Sequence, residues 1–305
     1  MSMILGWLRL VRPINIILIA ITPLALWAVL VRPLFGVPEL DVRQVLMLGL
    51  ALGFVAAAGN VINDIADRTI DQLNERKNPL LDGFPVSAAW FLYVGLNLVA
   101  LFLTWQLAAE LNRWAVASLL PLAILGLAGY SFALKCTPLV GNLLVSAFAA
   151  GVPGMVFIAE PMIAENLVKS ASAQSLVVYI VIAFFGTLAR ELVKDLEDKH
   201  GDAAAGCQTL AVRWPEKDML ILINACMFIV LSAVAYLTAI WYMANVLTGA
   251  ISWAALWLLL AGILFTIYTP SDEGKKRWSV LSGQLKMAMA FGLILLILVG
   301  ANVWN

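Results

Sequence analysis

The stretch QVLMLGLALGFVAAAGNVINDIADRTID, residues 44–71, decides the fold of this chain. Its first part, residues 44–63, is an apolar run with about the 20 residues that a helix needs to cross a bilayer. Three carboxylates follow it at Asp64, Asp67 and Asp71, spaced by three and then by four positions. This spacing predicts that they share one helix face, where like charges repel unless a positive group lies between them. The stretch therefore predicts a membrane helix that ends in a site for a cation.

The composition extends the membrane prediction to the whole chain. Of its 305 residues, 63% are hydrophobic and only 12% are charged, about half the charged share of soluble domains. The apolar runs are continuous rather than alternating, which favours helices over a barrel. We therefore predict a single all-α domain over residues 1–305, a polytopic membrane protein with about nine transmembrane helices around a central cavity. The spans are expected at 14–30, 44–63, 88–107, 114–132, 139–159, 174–194, 218–241, 249–268 and 281–302.

The distribution of Lys and Arg predicts the orientation of these spans. With the N-terminus in the cytoplasm, the positive-inside rule is satisfied, because most basic residues then fall on the cytoplasmic side. The other side keeps only Arg32, Arg43, Arg113 and Lys169. The two long polar segments, 64–87 and 195–217, would form a cytoplasmic cap that carries both acidic motifs. We expect the protein in the cytoplasmic membrane of a prokaryote, in contact with membrane lipids.

Several classes of site are disfavoured by the composition. A formal net charge of zero gives no general attraction to nucleic acid. The single histidine, His200, cannot build a histidine metal site alone, and it is interpreted as a solvated residue rather than as a general base. The three cysteines are too few and too scattered for a disulfide framework or a zinc site, and Cys136 and Cys207 are given no role.

A second acidic stripe repeats the spacing of the first. The segment RELVKDLEDKHGD, residues 190–202, places Asp195, Asp198 and Asp202 three and then four positions apart. Gly201 predicts that this helix frays before Asp202. Two facing rows of carboxylates suit Mg²⁺, which takes oxygen ligands and binds through carboxylates together with substrate phosphates. The rows therefore predict two or more magnesium ions that bridge a phosphorylated substrate.

Basic residues accompany both stripes and would bind the phosphate oxygens that the metal ions leave free. The alternative is that both stripes are merely solvated loops, since every membrane protein has a polar face. Matched spacing, placement on the same side and the flanking cations favour the site. The candidate diphosphate-binding residues are Arg68, Arg76, Lys77, Lys135, Arg190 and Lys194.

These residues resemble the UbiA superfamily of intramembrane prenyltransferases. That family carries an NDxxDxxxD motif after its second helix and a DxxDxxxD-like motif after its sixth. Here the corresponding segments are NDIADRTID, residues 63–71, and DLEDKHGD, residues 195–202. The resemblance covers nearly the whole chain, including RPIN at residues 12–15 and YSFALK at residues 130–135. The run RELVKDLEDKHGDAAAGCQTLAV, residues 190–212, is similar to the branch that transfers geranylgeranyl groups to geranylgeranylglyceryl phosphate. The run LKCTPLVGN, residues 134–142, resembles bacterial members of that branch.

The resemblance implies roles for individual residues. Metal binding is implied for Asn63, Asp67, Asp71, Asp198 and Asp202, with Asp64 and Asp195 as additional acids. The four aspartates of the core motifs and Lys135, which is expected to contact diphosphate, would be the catalytic residues. Where the family often has an Arg-Pro pair after the first motif, this chain has Asn78-Pro79, so that Arg76 or Lys77 would have to substitute for the missing guanidinium.

The implied reaction is Mg²⁺-dependent transfer of a prenyl group from a prenyl diphosphate, with geranylgeranyl diphosphate as the expected donor. The preferred acceptor is the hydroxyl of a prenylglyceryl phosphate, which would give an ether lipid. An aromatic acceptor in quinone biosynthesis, 4-hydroxybenzoate or a naphthoate, is the alternative. Candidate residues of the acceptor pocket are Asn15, Tyr130, Ser131 and Glu191.

Two other classes of membrane protein remain as alternatives. A CDP-alcohol phosphotransferase also uses clustered aspartates and a divalent metal, but its DGxxAR signature is absent from this sequence. A transporter or cation channel could line its path with acidic rows. Against this, the acids cluster at one face, and few ionisable residues lie at the predicted mid-span depth.

Overall fold

The structure, a computed structural model, describes residues 3–32, 38–73, 77–168, 170–243, 247–268 and 274–303. These residues form helices and their connections, and no strand occurs among them. The helices are α1 (Met3–Val11), α2 (Pro13–Leu26), α3 (Val42–Ala66), α4 (Arg68–Leu73), α5 (Val86–Leu111), α6 (Trp114–Gly129), α7 (Val140–Ala159), α8 (Met162–Glu165), α9 (Ala171–Ala204), α10 (Leu210–Arg213), α11 (Glu216–Met243), α12 (Leu247–Tyr268) and α13 (Gly274–Val303). Two of them continue as a wider, π-helical turn: α2 through Trp27–Val31 and α6 through Tyr130–Leu134.

Apolar helices of membrane-spanning length dominate the described chain. Eight helical segments are long and apolar enough to cross a bilayer, and α12 adds a shorter apolar stretch, Ile251–Ile263. Each predicted span overlaps one of these nine segments. The predicted all-α, polytopic membrane architecture is thus confirmed, while the number of nine spans and the central cavity stay predictions.

The chain divides into two compact units, each with its own packing. The first contains the described parts of Met1–Leu24, Leu40–Leu144 and His200–Val212. In it, α3 packs against α1, α5 and α6. Small residues let these helices pack closely, which is common between membrane helices. A Cβ atom on Gly49 of α3 would lie only 2.2 Å from the carbonyl oxygen of Ala20 in α2.

The second unit contains the described parts of Ala25–Glu39, Val145–Lys199 and Arg213–Asn305. Here α12 packs against α11 and α13, and α13 also packs against the π-helical turn Trp27–Val31. A buried hydrogen bond joins α9 to α11, where the indole Nε1 of Trp241 donates to Oγ of Ser175 at 2.7 Å. Asp195 and Asp198 of the second acidic motif belong to this unit, whereas Asp202 belongs to the first.

Both acidic motifs differ locally from the prediction. Helix α3 ends at Ala66, Asp67 lies between the two helices, and α4 begins at Arg68, so the first stripe is interrupted. The second stripe is continuous, because α9 runs through Ala204, and the predicted fraying at Gly201 is wrong. A single glycine costs a helix only about 1 kcal/mol relative to alanine. The helix instead ends near Gly206, whose φ of +77° is the left-handed conformation typical of glycine after a helix.

Candidate active site

The first motif brings an amide, a carboxylate and an ammonium group together in the first unit. The Asn63 amide donates to Oδ2 of Asp67 at 2.6 Å, one helical turn away. The ammonium group of Lys135 contacts the other carboxylate oxygen, Oδ1 of Asp67. The Lys135 and Asp67 side chains are only 15% and 16% exposed. A partly buried cation and a partly buried anion thus lie in contact at the position where α3 ends.

The π-helical turn that follows α6 positions Lys135. Its backbone N–H donates to the carbonyl oxygen of Tyr130 at 3.0 Å, five residues earlier. The start of α7 approaches this turn closely, because a Cβ atom on Gly141 would lie 2.9 Å from the carbonyl oxygen of Leu134 and 3.1 Å from Cα of Lys135. Only glycine allows this approach without a shift of the backbone. Gly141 therefore contributes to the position of Lys135.

Asp64 is a buried acid of the first motif, and it pairs with Arg12. Nη2 of Arg12 donates to Oδ1 of Asp64 at 2.5 Å, and the Asp64 side chain is 5% exposed. Arg12 lies between α1 and α2 with a φ of +55°. A second contact supports the same connection, since the Asn60 amide donates to the carbonyl oxygen of Val11 at 3.1 Å. These contacts join the RPIN segment to the end of α3.

Asp71, the third acid of the motif, accepts a hydrogen bond from Asn78. The Nδ2 group of Asn78 lies 2.8 Å from Oδ2 of Asp71 and 2.8 Å from the backbone carbonyl oxygen of Asp64. Both side chains are buried. The chain segment after α4 thus returns to the motif and contacts it on both sides of the break at Asp67.

A disulfide lies beside Lys135. Cys136 and Cys207 were predicted to have no role, but they form a disulfide with each other in the first unit. The backbone N–H of Gln208 also donates to the carbonyl oxygen of Cys136 at 2.9 Å. The segment that follows Asp202 is therefore held against the segment that follows Lys135. Cys226 is a free cysteine, and it is buried in α11.

The second unit contains the remaining acids of the second motif on α9. Asp198 is buried and Asp195 is partly exposed. One turn earlier, Nη1 of Arg190 donates to Oε1 of the buried Glu191 at 2.5 Å, so both groups lie on the helix that carries the motif. Lys194 is partly exposed on the same helix. Glu191 therefore has a charged partner of its own.

The other residues predicted for the site differ in their exposure. Arg68 and Lys77 are exposed at the two ends of the segment that follows Asp67, and Arg76 lies outside the described residues. Asn15 and Tyr130 are partly exposed in the first unit. Ser131 is buried, and its hydroxyl donates to the carbonyl oxygen of Leu127 at 2.9 Å. Its hydroxyl proton is therefore used within its own helix.

The oxygen donors of the first motif fit a hard divalent cation. No three side chains of Asp, Glu, His or Cys converge closely enough to hold a metal ion within the described ranges. Mg²⁺ needs no such group, because it commonly binds through one or two carboxylates, several waters and substrate phosphates. The pair Asn63 and Asp67, with their side chains 2.6 Å apart, supplies two such ligand positions.

Two contributors to the first motif were missed by sequence reasoning. Arg12 belongs to the RPIN segment, which was noted only as part of the resemblance, and Asn78 was noted only as a departure from the family pattern. A signal for Arg12 existed, since a buried Asp64 requires a positive partner. No local pattern predicts the contacts of Asn78, because they join it to Asp64 and Asp71 across a turn of the chain.

Comparisons with known proteins agree with this architecture. The UbiA prenyltransferase family matches residues 21–290. The digeranylgeranylglyceryl phosphate synthase of Methanopyrus kandleri is 34% identical over 296 residues, which cover 94% of this chain and 97% of that protein. It is an archaeal protein, so the expected bacterial-type affiliation stays a prediction.

Two solved structures share the fold. A chain solved in work on digeranylgeranylglyceryl phosphate synthase in membranes has a TM-score of 0.66 at 23% identity and covers 99% of this chain and 100% of its own length. A UbiA homolog from Archaeoglobus fulgidus bound to GPP and Mg²⁺ has a TM-score of 0.59 at 20% identity and covers 95% of this chain and 99% of its own length. From the family match and the similarity over nearly the full length, the chain belongs to the UbiA prenyltransferase family and is an integral membrane prenyltransferase.

Proposed function

We propose that this chain transfers a geranylgeranyl group from its diphosphate to the hydroxyl of a prenylglyceryl phosphate and so makes an ether lipid. The resemblance of residues 190–212 to the glyceryl phosphate branch supports this acceptor, as does the similarity to the Methanopyrus kandleri synthase. The observation that carries the proposal is the contact between Lys135 and Asp67 beside Asn63. It combines a partly buried cation with oxygen donors, the combination that a diphosphate with Mg²⁺ requires.

The residues of the first motif would bind the donor through its diphosphate. Asn63, Asp67 and Asp71 would hold Mg²⁺, with Asp198 and Asp202 as the ligands from the second motif. When bound, Mg²⁺ neutralises the charge that builds on the departing diphosphate. Lys135 would donate hydrogen bonds to the diphosphate oxygens and stabilise the same charge. Arg68, Lys77, Arg190 and Lys194 are proposed as further diphosphate contacts, together with Arg76.

The reaction then needs one bond to break and one to form. The allylic C–O bond of the donor breaks, diphosphate leaves with the electron pair, and the acceptor oxygen forms the ether bond and releases its proton. Water would quench the allylic cation, so an apolar surrounding protects it. The many apolar residues of the spanning helices would supply that surrounding.

Asn15, Tyr130 and Glu191 are proposed to contact the acceptor. Ser131 is proposed to contribute through its backbone and shape, because its hydroxyl already donates to Leu127. Asp64 and Asp195 are proposed as supporting acids, and the pairing of Asp64 with Arg12 favours this role over direct binding of the metal ion. We further propose that the N-terminus and both motif segments face the cytoplasm, as the bias of Lys and Arg indicates.

A panel of acceptors tests the proposal most directly. Purified protein in lipid vesicles receives radiolabelled geranylgeranyl diphosphate, Mg²⁺ and one acceptor at a time: geranylgeranylglyceryl phosphate, 4-hydroxybenzoate or a naphthoate. We expect a labelled ether lipid with the first acceptor and no product when Mg²⁺ is chelated. A labelled aromatic product instead would establish the quinone alternative. No transfer to any acceptor, together with cation flux through the vesicles, would support the channel alternative.

Variants of the two motifs provide the internal control of that experiment. We expect Asp67→Ala and Asp198→Ala each to abolish transfer while the protein still inserts into the membrane and elutes as a single species. Their matched control is Asp218→Ala, because Asp218 lies outside both motifs in the first turn of α11. Full transfer by Asp67→Ala or by Asp198→Ala would remove that motif from the proposed metal site.

A further inference from the structure

Asn78 lies where the resemblance to the UbiA family implies an arginine, and the donors of its side chain face acceptors within the protein. It is 1% exposed. Its amide nitrogen lies within hydrogen-bond distance of Oδ2 of Asp71 and of the carbonyl oxygen of Asp64, 2.8 Å in both cases. Its amide oxygen accepts the backbone N–H of Leu80 at 3.0 Å. An amide has two N–H donors and one oxygen acceptor, so the side chain has no remaining donor for a phosphate.

The contacts of Asn78 bridge the break in the first motif. Asp64 lies in the last turn of α3 and Asp71 lies in α4, with Asp67 between the two helices. A short helix such as α4 has little stability of its own, because helix nucleation is costly. The direction of the Asp71 carboxylate relative to α3 therefore depends on what connects the two helices, and the Asn78 amide is one direct connection.

The segment around Asn78 is anchored in the core rather than mobile. Leu80 and Phe84 are buried in one apolar cluster with Leu10 of α1 and Val61 of α3. Phe84 also packs edge-to-face on Trp7, with ring centroids 5.2 Å apart. The contact from Asn78 to Leu80 is an Asx-type turn, which fixes the side chain relative to this cluster. The core of the first unit thus holds the amide that contacts Asp71.

We propose that Asn78 is a positioning residue of the first motif, which orients the Asp71 carboxylate toward Mg²⁺ by bracing α4 against the end of α3. This inference rests on the proposed function of the motif. It also explains the departure from the Arg-Pro pattern, because Asn78 orients the metal ligand Asp71 instead of contributing a positive charge to the diphosphate site. Groups that orient metal ligands typically contribute roughly 10-fold to 100-fold to metal affinity.

The test measures metal binding separately from turnover. Mn²⁺ substitutes for Mg²⁺ as a paramagnetic probe, and its binding to the detergent-solubilised protein is titrated by electron paramagnetic resonance with inorganic pyrophosphate present. We expect Asn78→Ala to weaken Mn²⁺ binding by about 10-fold or more. The Mg²⁺ concentration for half-maximal transfer should rise by a similar factor, with kcat largely recovered at saturating Mg²⁺.

Two further variants separate positioning from general damage. Asn78→Ser keeps a short acceptor for the N–H of Leu80 but cannot reach Asp71, so we expect the same loss of Mn²⁺ affinity with a smaller loss of thermal stability. Asn97→Ala removes a buried amide of α5 that donates to the carbonyl oxygen of Tyr93, outside both motifs, and we expect its Mn²⁺ affinity to be unchanged.

Different outcomes would disprove the positioning role of Asn78 and the proposed function. Unchanged Mn²⁺ affinity in Asn78→Ala and Asn78→Ser, or an equal loss in Asn97→Ala, would disprove the positioning role. Absence of Mg²⁺-dependent transfer in the unmodified protein would instead disprove the proposed function. The Mn²⁺ titration can still be compared between variants in that second case, so the two failures are distinguishable.

Discussion

The ammonium group of Lys135 contacts the carboxylate of Asp67, although one residue follows α6 and the other follows α3. Each charge would be costly to bury alone, and each reduces the cost for the other. The contact places the lysine beside the first motif before any substrate binds. A diphosphate that reaches this place would meet a lysine that is already partly desolvated and already positioned.

We expect Lys135→Met to lower kcat/KM for the prenyl diphosphate by about 100-fold or more, since removal of one preorganised donor to a developing charge typically has that effect. Transfer of radiolabel at several donor concentrations measures it. Lys217→Met is the control, because Lys217 is exposed at the start of α11. An equal loss in both variants would mean that Lys135 acts only through the overall charge of the protein.

The pairing of Arg12 with Asp64 leads to a prediction about stability. Because the carboxylate is buried and the guanidinium is its partner, Asp64→Asn and Arg12→Gln should remove the same interaction. We expect the double variant to lower the midpoint of thermal unfolding in detergent by clearly less than the two single shifts added together. Additive shifts would show that the two residues act independently.

Transfer activity tests the same pair in a second way. If Asp64 supports the motif through Arg12, then Asp64→Asn should retain part of the activity that Asp67→Ala loses completely. Equal loss in the two variants would place Asp64 among the direct metal ligands.

The spans and the paired motifs could be predicted from the sequence, because both depend on local patterns. An apolar run such as 44–63 has few alternatives to a membrane helix, since its backbone must be hydrogen-bonded internally. The three–four spacing of the aspartates likewise requires only the period of a helix. These features rest on residues that are close together in the chain.

The features that could not be predicted from the sequence depend on contacts between residues that are distant in the chain. The interruption at Asp67 coincides with the contacts from Lys135 and Asn78, which no local pattern specifies. The helix α9 extends past Gly201 although glycine there predicted an end. A propensity of about 1 kcal/mol is easily overridden by the surrounding structure. The disulfide between Cys136 and Cys207 also depends on the tertiary structure, because the two cysteines are 71 residues apart in the chain.

Close packing of α2 against α3 predicts that Gly49 tolerates no larger residue. A Cβ atom there would lie 2.2 Å from the carbonyl oxygen of Ala20, so Gly49→Ala must push the helices apart. We expect a lower midpoint of thermal unfolding in detergent. The matched control is Gly95→Ala in α5, where a Cβ atom would meet nothing within 4 Å. That substitution should leave stability unchanged or raise it, since alanine favours the helix. An unchanged midpoint of thermal unfolding in Gly49→Ala would contradict the close packing of α2 against α3.

The bond between Cys136 and Cys207 predicts a stabilising effect that reductants remove. It closes a loop over a sequence separation of 71 residues, and such a constraint on the unfolded chain contributes about 4 kcal/mol in the chain-entropy description. We expect dithiothreitol to lower the midpoint of thermal unfolding of protein purified under oxidising conditions. The variant with Cys136→Ser and Cys207→Ser should unfold at that lower midpoint with or without reductant.

Cys226 supplies the control for this experiment, because it is a buried free thiol in α11. Cys226→Ser should retain the full response to dithiothreitol. Alkylation of the unfolded protein without reductant, followed by mass spectrometry, should label Cys226 alone and recover Cys136 and Cys207 as linked peptides. Labelling of all three thiols would mean that the pair is reduced in the purified protein. We propose that both motif segments lie in the reducing cytoplasm, so the disulfide would then form only on oxidation. The segment after Asp202 would in that case be held beside Lys135 by the hydrogen bond from the N–H of Gln208 to the carbonyl oxygen of Cys136.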